Sequence, residues 1–257
     1  MVRQAAEVRR QIGFVLGGDR GLYGRLSGKE NLRYFAALNH VSPREARRRT
    51  DFHLEQVGLS EYADRKVEEY SRGMKQRLHI ARGLLTDPTV LFMDEPTMGL
   101  DPMGAQELRK LIPGLVEDGR TVLLTTHYMF EADQLCKTIA MINHGRLVTE
   151  GTPTEIKRGF RGNRVVEVEI REMRPGLVEE LSALEGVERV DTDFGSGLPR
   201  LKVQIGAGQD SDSRIMKVIG EDNIESRVSR DPTLEEAYLG ILQGDSRPDG
   251  SAAGGED

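Results

Sequence analysis

Two adjacent carboxylates close a short apolar run, where Val90-Leu91-Phe92-Met93 leads into Asp94-Glu95. If that run is a strand, its C-terminal end lies where open α/β sheets receive ligands. Asp94 could then hold a water of a Mg²⁺ ion, because a hard cation takes oxygen ligands and keeps several waters. Glu95 could take the proton of an attacking water. Adjacent acids at a strand end are common, so the pair alone fits plain surface charge equally well. A second apolar run, Thr121–Thr125, ends in Thr126-His127. A histidine there is either an ordinary loop residue or a sensor that hydrogen-bonds a γ-phosphate and orients the water. Ser71-Arg72-Gly73-Met74 opens a helix pattern. Its hydroxyl, free N–H groups and positive helix end suit an anion, and the competing reading is a plain N-cap.

These residues need elements to carry them. The spacing predicts a strand over 12–16, then a Gly/Asp loop at 17–21. Ser27-Gly28-Lys29-Glu30 is a capping-box pattern for a helix over 31–38. Ser42-Pro43-Arg44-Glu45 repeats the device, with Pro at the first helical position, for a helix that runs to about Val57. Ser71 caps a further helix whose positions Met74, Leu78, Ala81 and Leu85 follow a 3.6-residue period. After the strand at 90–93 comes a helix from Pro102 to about Glu117, which Pro113-Gly114 should kink or split. A strand at 121–125, a helix at about 129–136 and a hairpin through Asn143-His144-Gly145 follow, and then a short helix after Thr152. Strands alternating with helices imply an α/β layer fold with a largely parallel sheet. Residues 157–164 read as a linker. Beyond it, strands near 165–170, 187–191, 201–205 and 224–228, with helices near 177–184, 215–219 and 234–242, predict a small α+β sandwich. The Gly/Ser/Asp-rich tail from Gly244 reads as disordered.

Composition narrows the function classes. The 257 residues carry a formal net charge of −6, which argues against a general nucleic-acid binder. The single cysteine, Cys136, excludes an internal disulfide and suits a reducing cytosol. Neither a bilayer-long apolar run nor a signal-peptide core is present. The expectation is a cytoplasmic chain whose membrane role, if any, comes through a partner.

Taken together and in this order, the motifs resemble those of the ATP-binding subunits of ABC transporters over residues 1–160. Tyr70-Ser71-Arg72-Gly73-Met74-Lys75-Gln76-Arg77 is similar to the family's signature motif, which contacts nucleotide in trans through Ser71, Arg72, Gly73 and Met74. By the same resemblance Asp94 is the Walker B aspartate on Mg²⁺, Glu95 the catalytic glutamate and His127 the switch histidine. Gly99-Leu100-Asp101 resembles the D-loop. Residues 161–243, with Pro232-Thr233-Leu234-Glu235-Glu236-Ala237-Tyr238, resemble the C-terminal domain of drug- and ABC-2-type exporter subunits.

The resemblance implies a P-loop-type core with a helical subdomain at about 27–85. It implies ATP and Mg²⁺ as ligands, an integral-membrane permease as partner, and a homo- or heterodimer with another such ATPase subunit. The chain would then be peripheral on the inner face of the cell membrane, with no nucleic-acid partner.

Two departures stand out. Gly17 occupies the place of the family's Q-loop glutamine, which puts that link to Mg²⁺ and to the membrane subunit in doubt. No Gly-x-x-x-x-Gly-Lys-Ser/Thr loop occurs in the sequence, and Gly28-Lys29 is followed by Glu30. The expectation is that these residues alone bind ATP poorly. Three readings stay open: a shortened version of an exporter ATPase, a non-hydrolysing subunit that lends its signature to an intact partner, or a soluble ABC protein acting on nucleic acid or ribosomes.

Overall fold

The computed structural model describes residues 5–17, 21–159, 164–195, 197–206 and 211–245. Gly18, the middle of the expected linker and most of the expected tail lie outside the described residues. The chain forms two compact units, Met1–Leu135 and Cys136–Asp257.

The first unit opens with α1 (Ala5–Arg10) and β1 (Ile12–Leu16). A helical segment follows, with α2 (Gly28–Leu38), α3 (Pro43–Gln56) and α4 (Arg72–Leu84). Then come β2 (Val90–Asp94), α5 (Pro102–Glu117), β3 (Thr121–Thr125) and α6 (Met129–Leu135). The three serines that mark predicted helix starts, Ser27, Ser42 and Ser71, are side-chain caps. The capping box of α2 is complete, with Glu30 N donating to Ser27 Oγ at 3.2 Å and Ser27 N donating to Glu30 Oε2 at 2.7 Å. Ser42 accepts from Glu45 N at 3.3 Å, and Ser71 accepts from Met74 N at 3.2 Å. The periodic positions Leu78, Ala81 and Leu85 are fully buried, as the spacing requires.

Of the kink or split expected at Pro113-Gly114, the split does not occur: α5 is one continuous helix through both residues. Proline removes one intrahelical donor, but Pro113 and Gly114 are exposed. The opposite face buries Leu108, Ile112 and Leu115, and that apolar stripe holds the helix together across the defect.

The three strands form a parallel sheet in the order β1-β2-β3. Val15, Leu91 and Met93 point into the main core with Leu78, Leu84 and Leu108. The other face presents Phe14, Leu16 and Leu123, each more than half exposed, with Phe14 stacked on Phe92 at 5.1 Å. Helix α4 approaches β1 very closely. A Cβ at Gly13 would collide with the Gly83 carbonyl oxygen and lie 2.7 Å from Leu91 Cδ1. At Gly83 it would lie 3.1 Å from Val15 Cγ2.

The second unit begins with the hairpin β4 (Ile139–Asn143) and β5 (Arg146–Gly151), then α7 (Pro153–Gly159). After it come β6 (Arg164–Ile170), α8 (Leu177–Ser182), β7 (Val187–Asp193), β8 (Arg200–Ile205), α9 (Asp212–Ile219), β9 (Ile224–Arg230) and α10 (Leu234–Asp245). The antiparallel sheet order β7-β8-β6-β9 is a split βαβ arrangement. Val166, Val168 and Ile170 of β6 pack with Leu201, Val203, Leu181 and Ile215 on one face. Thr233 and Glu236 form a capping box at the start of α10. Arg230 reaches both Glu167 Oε1 and Glu236 Oε1 at 2.7 Å, tying β9 to β6 and α10. Burial alone would raise the Glu236 pKa, but the Arg230 and Thr233 hydrogen bonds hold it at about 2. Among the described residues no helix is long and apolar enough to cross a membrane.

Three outcomes follow from this packing. Gly13→Ala should destabilise the chain by about 1–3 kcal/mol in urea unfolding, because backbone rather than a movable side chain blocks the added methyl. Gly73→Ala should change stability by less than about 0.5 kcal/mol. The nearest atom to a Cβ there, Gly104 Cα at 3.5 Å, is at ordinary contact distance. Glu236 has a folded pKa below its unfolded value, so its contribution is complete above about pH 4.5 and is lost as pH falls toward 2. The stability gap between wild type and Glu236→Gln should therefore shrink across that window, measured by chemical denaturation at several pH values.

Candidate nucleotide site

Parallel register sets the geometry. Leu16, Asp94 and Thr125 lie in one row across the C-terminal ends of β1, β2 and β3. Thr125 Oγ1 donates to Asp94 Oδ1 at 2.5 Å and accepts from Glu95 N at 3.3 Å. Glu95 N also donates to Thr125 O at 3.0 Å. One threonine therefore fixes the side chain of the first carboxylate and the backbone of the second. In sequence Thr125 is only the first residue of Thr-Thr-His, and the cross-strand pairing gives it this role.

Glu95 has φ of +46°, a left-handed conformation that costs a non-glycine residue about 1–3 kcal/mol. The turn carries its carboxylate toward the end of β3. There Glu95 Oε2 lies 2.6 Å from His127 Nδ1. The approach is close but not aligned as a hydrogen bond, and Glu95 Oε2 is a buried oxygen without an aligned donor. His127 itself is 57% exposed, so its ring borders both Glu95 and solvent. The structure thus brings Asp94, Glu95 and His127 to one corner of the sheet.

Behind that corner is a buried carboxylate that the sequence patterns did not mark. Glu131 of α6 is 2% exposed. It accepts from Thr126 Oγ1 at 3.1 Å and from Arg109 Nη1 at 3.2 Å. Arg109 lies on α5, also 5.7 Å from the Phe130 ring.

The Ser71–Met74 segment forms the first turn of α4. Ser71 Oγ is engaged by Met74 N, and Gly73 is buried against Gly104 in the first turn of α5. Asp101 is the N-cap of α5, accepting from Gly104 N at 2.8 Å, a role that Asp-Pro ahead of a helix could have signalled. Arg72 Nη1 reaches Gly99 O at 3.4 Å, and Arg77 lies 3.4 Å from Glu107. The two motif-bearing segments therefore share one packed junction. Gly17 meets a steric demand: a Cβ there would lie 3.0 Å from Glu95 O and 3.1 Å from Asp94 O.

These groups fit a phosphate–magnesium ligand. Asp94 keeps one carboxylate oxygen outside its threonine bond, and Glu95 holds a buried oxygen in want of a donor. Among the described residues no group of three or more His, Cys, Asp or Glu could cage a metal. A Mg²⁺ ion here would be held by Asp94 together with phosphate and water oxygens, its usual mode.

Comparison with known proteins shows the family. The ABC transporter family model matches residues 2–98. Daunorubicin resistance ATP-binding protein DrrA3 of Streptomyces coeruleorubidus is 40% identical over 96% of this chain and 77% of its own length. Linearmycin resistance ATP-binding protein LnrL of Bacillus subtilis is 30% identical over 93% of this chain and 76% of its own. The ABC transporter ATP-binding protein NatA of Bacillus subtilis is 38% identical over 58% of this chain, a match that spans 61% of NatA. In solved structures, CbiO1 from Clostridium perfringens, part of the CbiONQ ABC transporter complex, superposes with a TM-score of 0.56 and 31% identity. It covers 63% of this chain and 66% of that one. The chain belongs to the ATP-binding proteins of ABC transporters, the ATPases that couple ATP binding and hydrolysis to membrane transport.

Proposed function

We propose that this chain is the motor subunit of an ABC-type exporter and that Asp94, Glu95 and His127 form its hydrolytic corner. The observation that carries this reading is the meeting of Glu95 and His127 at 2.6 Å beside the Asp94–Thr125 row. When bound, Mg²⁺·ATP supplies the phosphoanhydride to be cleaved and the cation that offsets its charge. Asp94 offers its carboxylate to a cation-bound water. Glu95 accepts the proton of the attacking water at its carboxylate, general-base work typically worth 10²- to 10⁴-fold. His127 turns Nδ1 to Glu95, which leaves Nε2 to hydrogen-bond a phosphate oxygen. Ser71 and Gly73 offer a helix N-terminus to a nucleotide held by another subunit.

Relatives whose names describe resistance to daunorubicin and linearmycin, or export of fluoroquinolones and Nod factor, support the exporter assignment. On this reading residues 1–160 are the nucleotide-binding part and 161–243 an exporter-type C-terminal domain. The partners are an integral-membrane permease and a second ATPase subunit. The chain works on the inner face of the cell membrane and binds no nucleic acid.

The phosphate nest is the missing part. These residues contain no Gly-x-x-x-x-Gly-Lys-Ser/Thr loop. The α4 terminus alone offers an anion at most about 2 kcal/mol, whereas millimolar binding needs about 4 kcal/mol. We propose that the nest comes from polypeptide outside these residues, and the open face of Phe14, Leu16 and Leu123 supports this. Whether it belongs to the same polypeptide or to a partner decides between a hydrolysing subunit and one that only lends its signature.

The test uses this sequence joined to, or assembled with, a phosphate-loop segment. Glu95→Gln should keep ATP binding and lower hydrolysis by about 10²–10⁴-fold, measured by phosphate release. Hydrolysis within a few-fold of wild type would remove Glu95 from the chemistry.

A further inference from the structure

We infer that Glu131 is a positioning residue that sets His127 through Thr126 and ties it to helix α5. The inference rests on the reading that His127 serves ATP hydrolysis, but its structural half stands apart from that reading.

A carboxylate at 2% exposure is uncommon and needs partners for its charge. Glu131 has two, one on each oxygen. Oε1 accepts from Arg109, and Oε2 accepts from the Thr126 hydroxyl. The same hydroxyl accepts from Tyr128 N at 3.0 Å. Thr126 Oγ1 therefore holds the chain on both sides of residue 127, and its own orientation is fixed by Glu131. His127 is the residue between these two anchors, with its ring 4.0 Å from that of Tyr128 and Nδ1 2.6 Å from Glu95. An exposed imidazole on a free turn would sample several rotamers, whereas one on a turn pinned at both ends keeps its ring at Glu95.

The second oxygen extends the link. Arg109 lies on α5, and the first turn of α5 rests on Gly73 through Gly104. A shift of α5 would thus pull on Glu131 and, through Thr126, on the His127 turn. A buried ion pair with no further role would stabilise α5 against α6 and leave the ring of His127 indifferent to the Thr126 hydroxyl.

The full 257-residue chain, labelled at histidine Cε1, tests this by NMR. The His127 signal is assigned by its loss in His127→Ala. Thr126→Val keeps the side-chain shape and the Glu131–Arg109 pair but removes the hydroxyl. Glu131→Gln removes the charge. Each should move or broaden the His127 signal and leave those of exposed His40 and His144 in place. Thr126→Ser restores the hydroxyl and should restore the signal, which separates lost tethering from general disorder.

In the complex that hydrolyses ATP, Thr126→Val should lower kcat about tenfold or more with KM within about twofold, the split expected when orientation rather than binding is lost. A His127 signal unmoved in both Thr126→Val and Glu131→Gln would overturn the proposal. If the signal moves while His127→Ala hydrolyses normally, the tether stands and the reading of His127 as part of the ATPase chemistry fails.

Discussion

The parallel pairing of β2 with β3 is the constraint on which the rest depends. Its register sets Asp94 opposite Thr125, so that the two strands end together and the residues just beyond them, Glu95 and His127, converge. A slip of one residue would turn Asp94 into the core and Met93 toward the ligand side, since side chains alternate between faces. The buried positions Leu91 and Met93 oppose that slip, and the Thr125–Asp94 bond at the strand ends reinforces the same alignment. Helix α4 depends on this sheet in turn: its seat on β1 at Gly13 and Gly83 is so close that neither position has room for a side chain without movement.

What could be read from the sequence is local. Short apolar runs ending in acids or Thr-Thr-His marked the strand ends, and Ser at positions 27, 42 and 71 marked helix starts through bonds to N–H groups three residues on. What could not be read is long-range or conformational. Thr125 and Asp94 are 31 positions apart, and Arg109 and Glu131 are 22 apart, so no window of sequence contains either pair. The left-handed backbone of Glu95 breaks a residue preference outright, as strained functional positions do. The split allowed at Pro113 does not occur, because the apolar stripe of Leu108, Ile112 and Leu115 outweighs one lost donor.

The C-terminal unit follows a different logic. Its sheet is antiparallel throughout, and charge organises the side away from the core. Arg200 pairs with Glu169, and Arg230 pairs with Glu167 and Glu236. The Pro-Thr-Leu-Glu-Glu segment, which carries the family resemblance, thus has a local physical task, since it caps α10 and supplies the carboxylate that receives Arg230.

The central claim is that Glu95 and His127 act as one unit at the sheet's end. A double-mutant cycle on ATP hydrolysis tests it most directly, using Glu95→Gln, His127→Ala and the double variant in the assembled, phosphate-loop-bearing protein. Residues that act together are strongly non-additive. The account predicts that the double variant hydrolyses ATP no more slowly than the worse single variant, within about threefold. Rate losses that multiply across the two substitutions would contradict it and would make the 2.6 Å approach a neighbourly contact without a shared task.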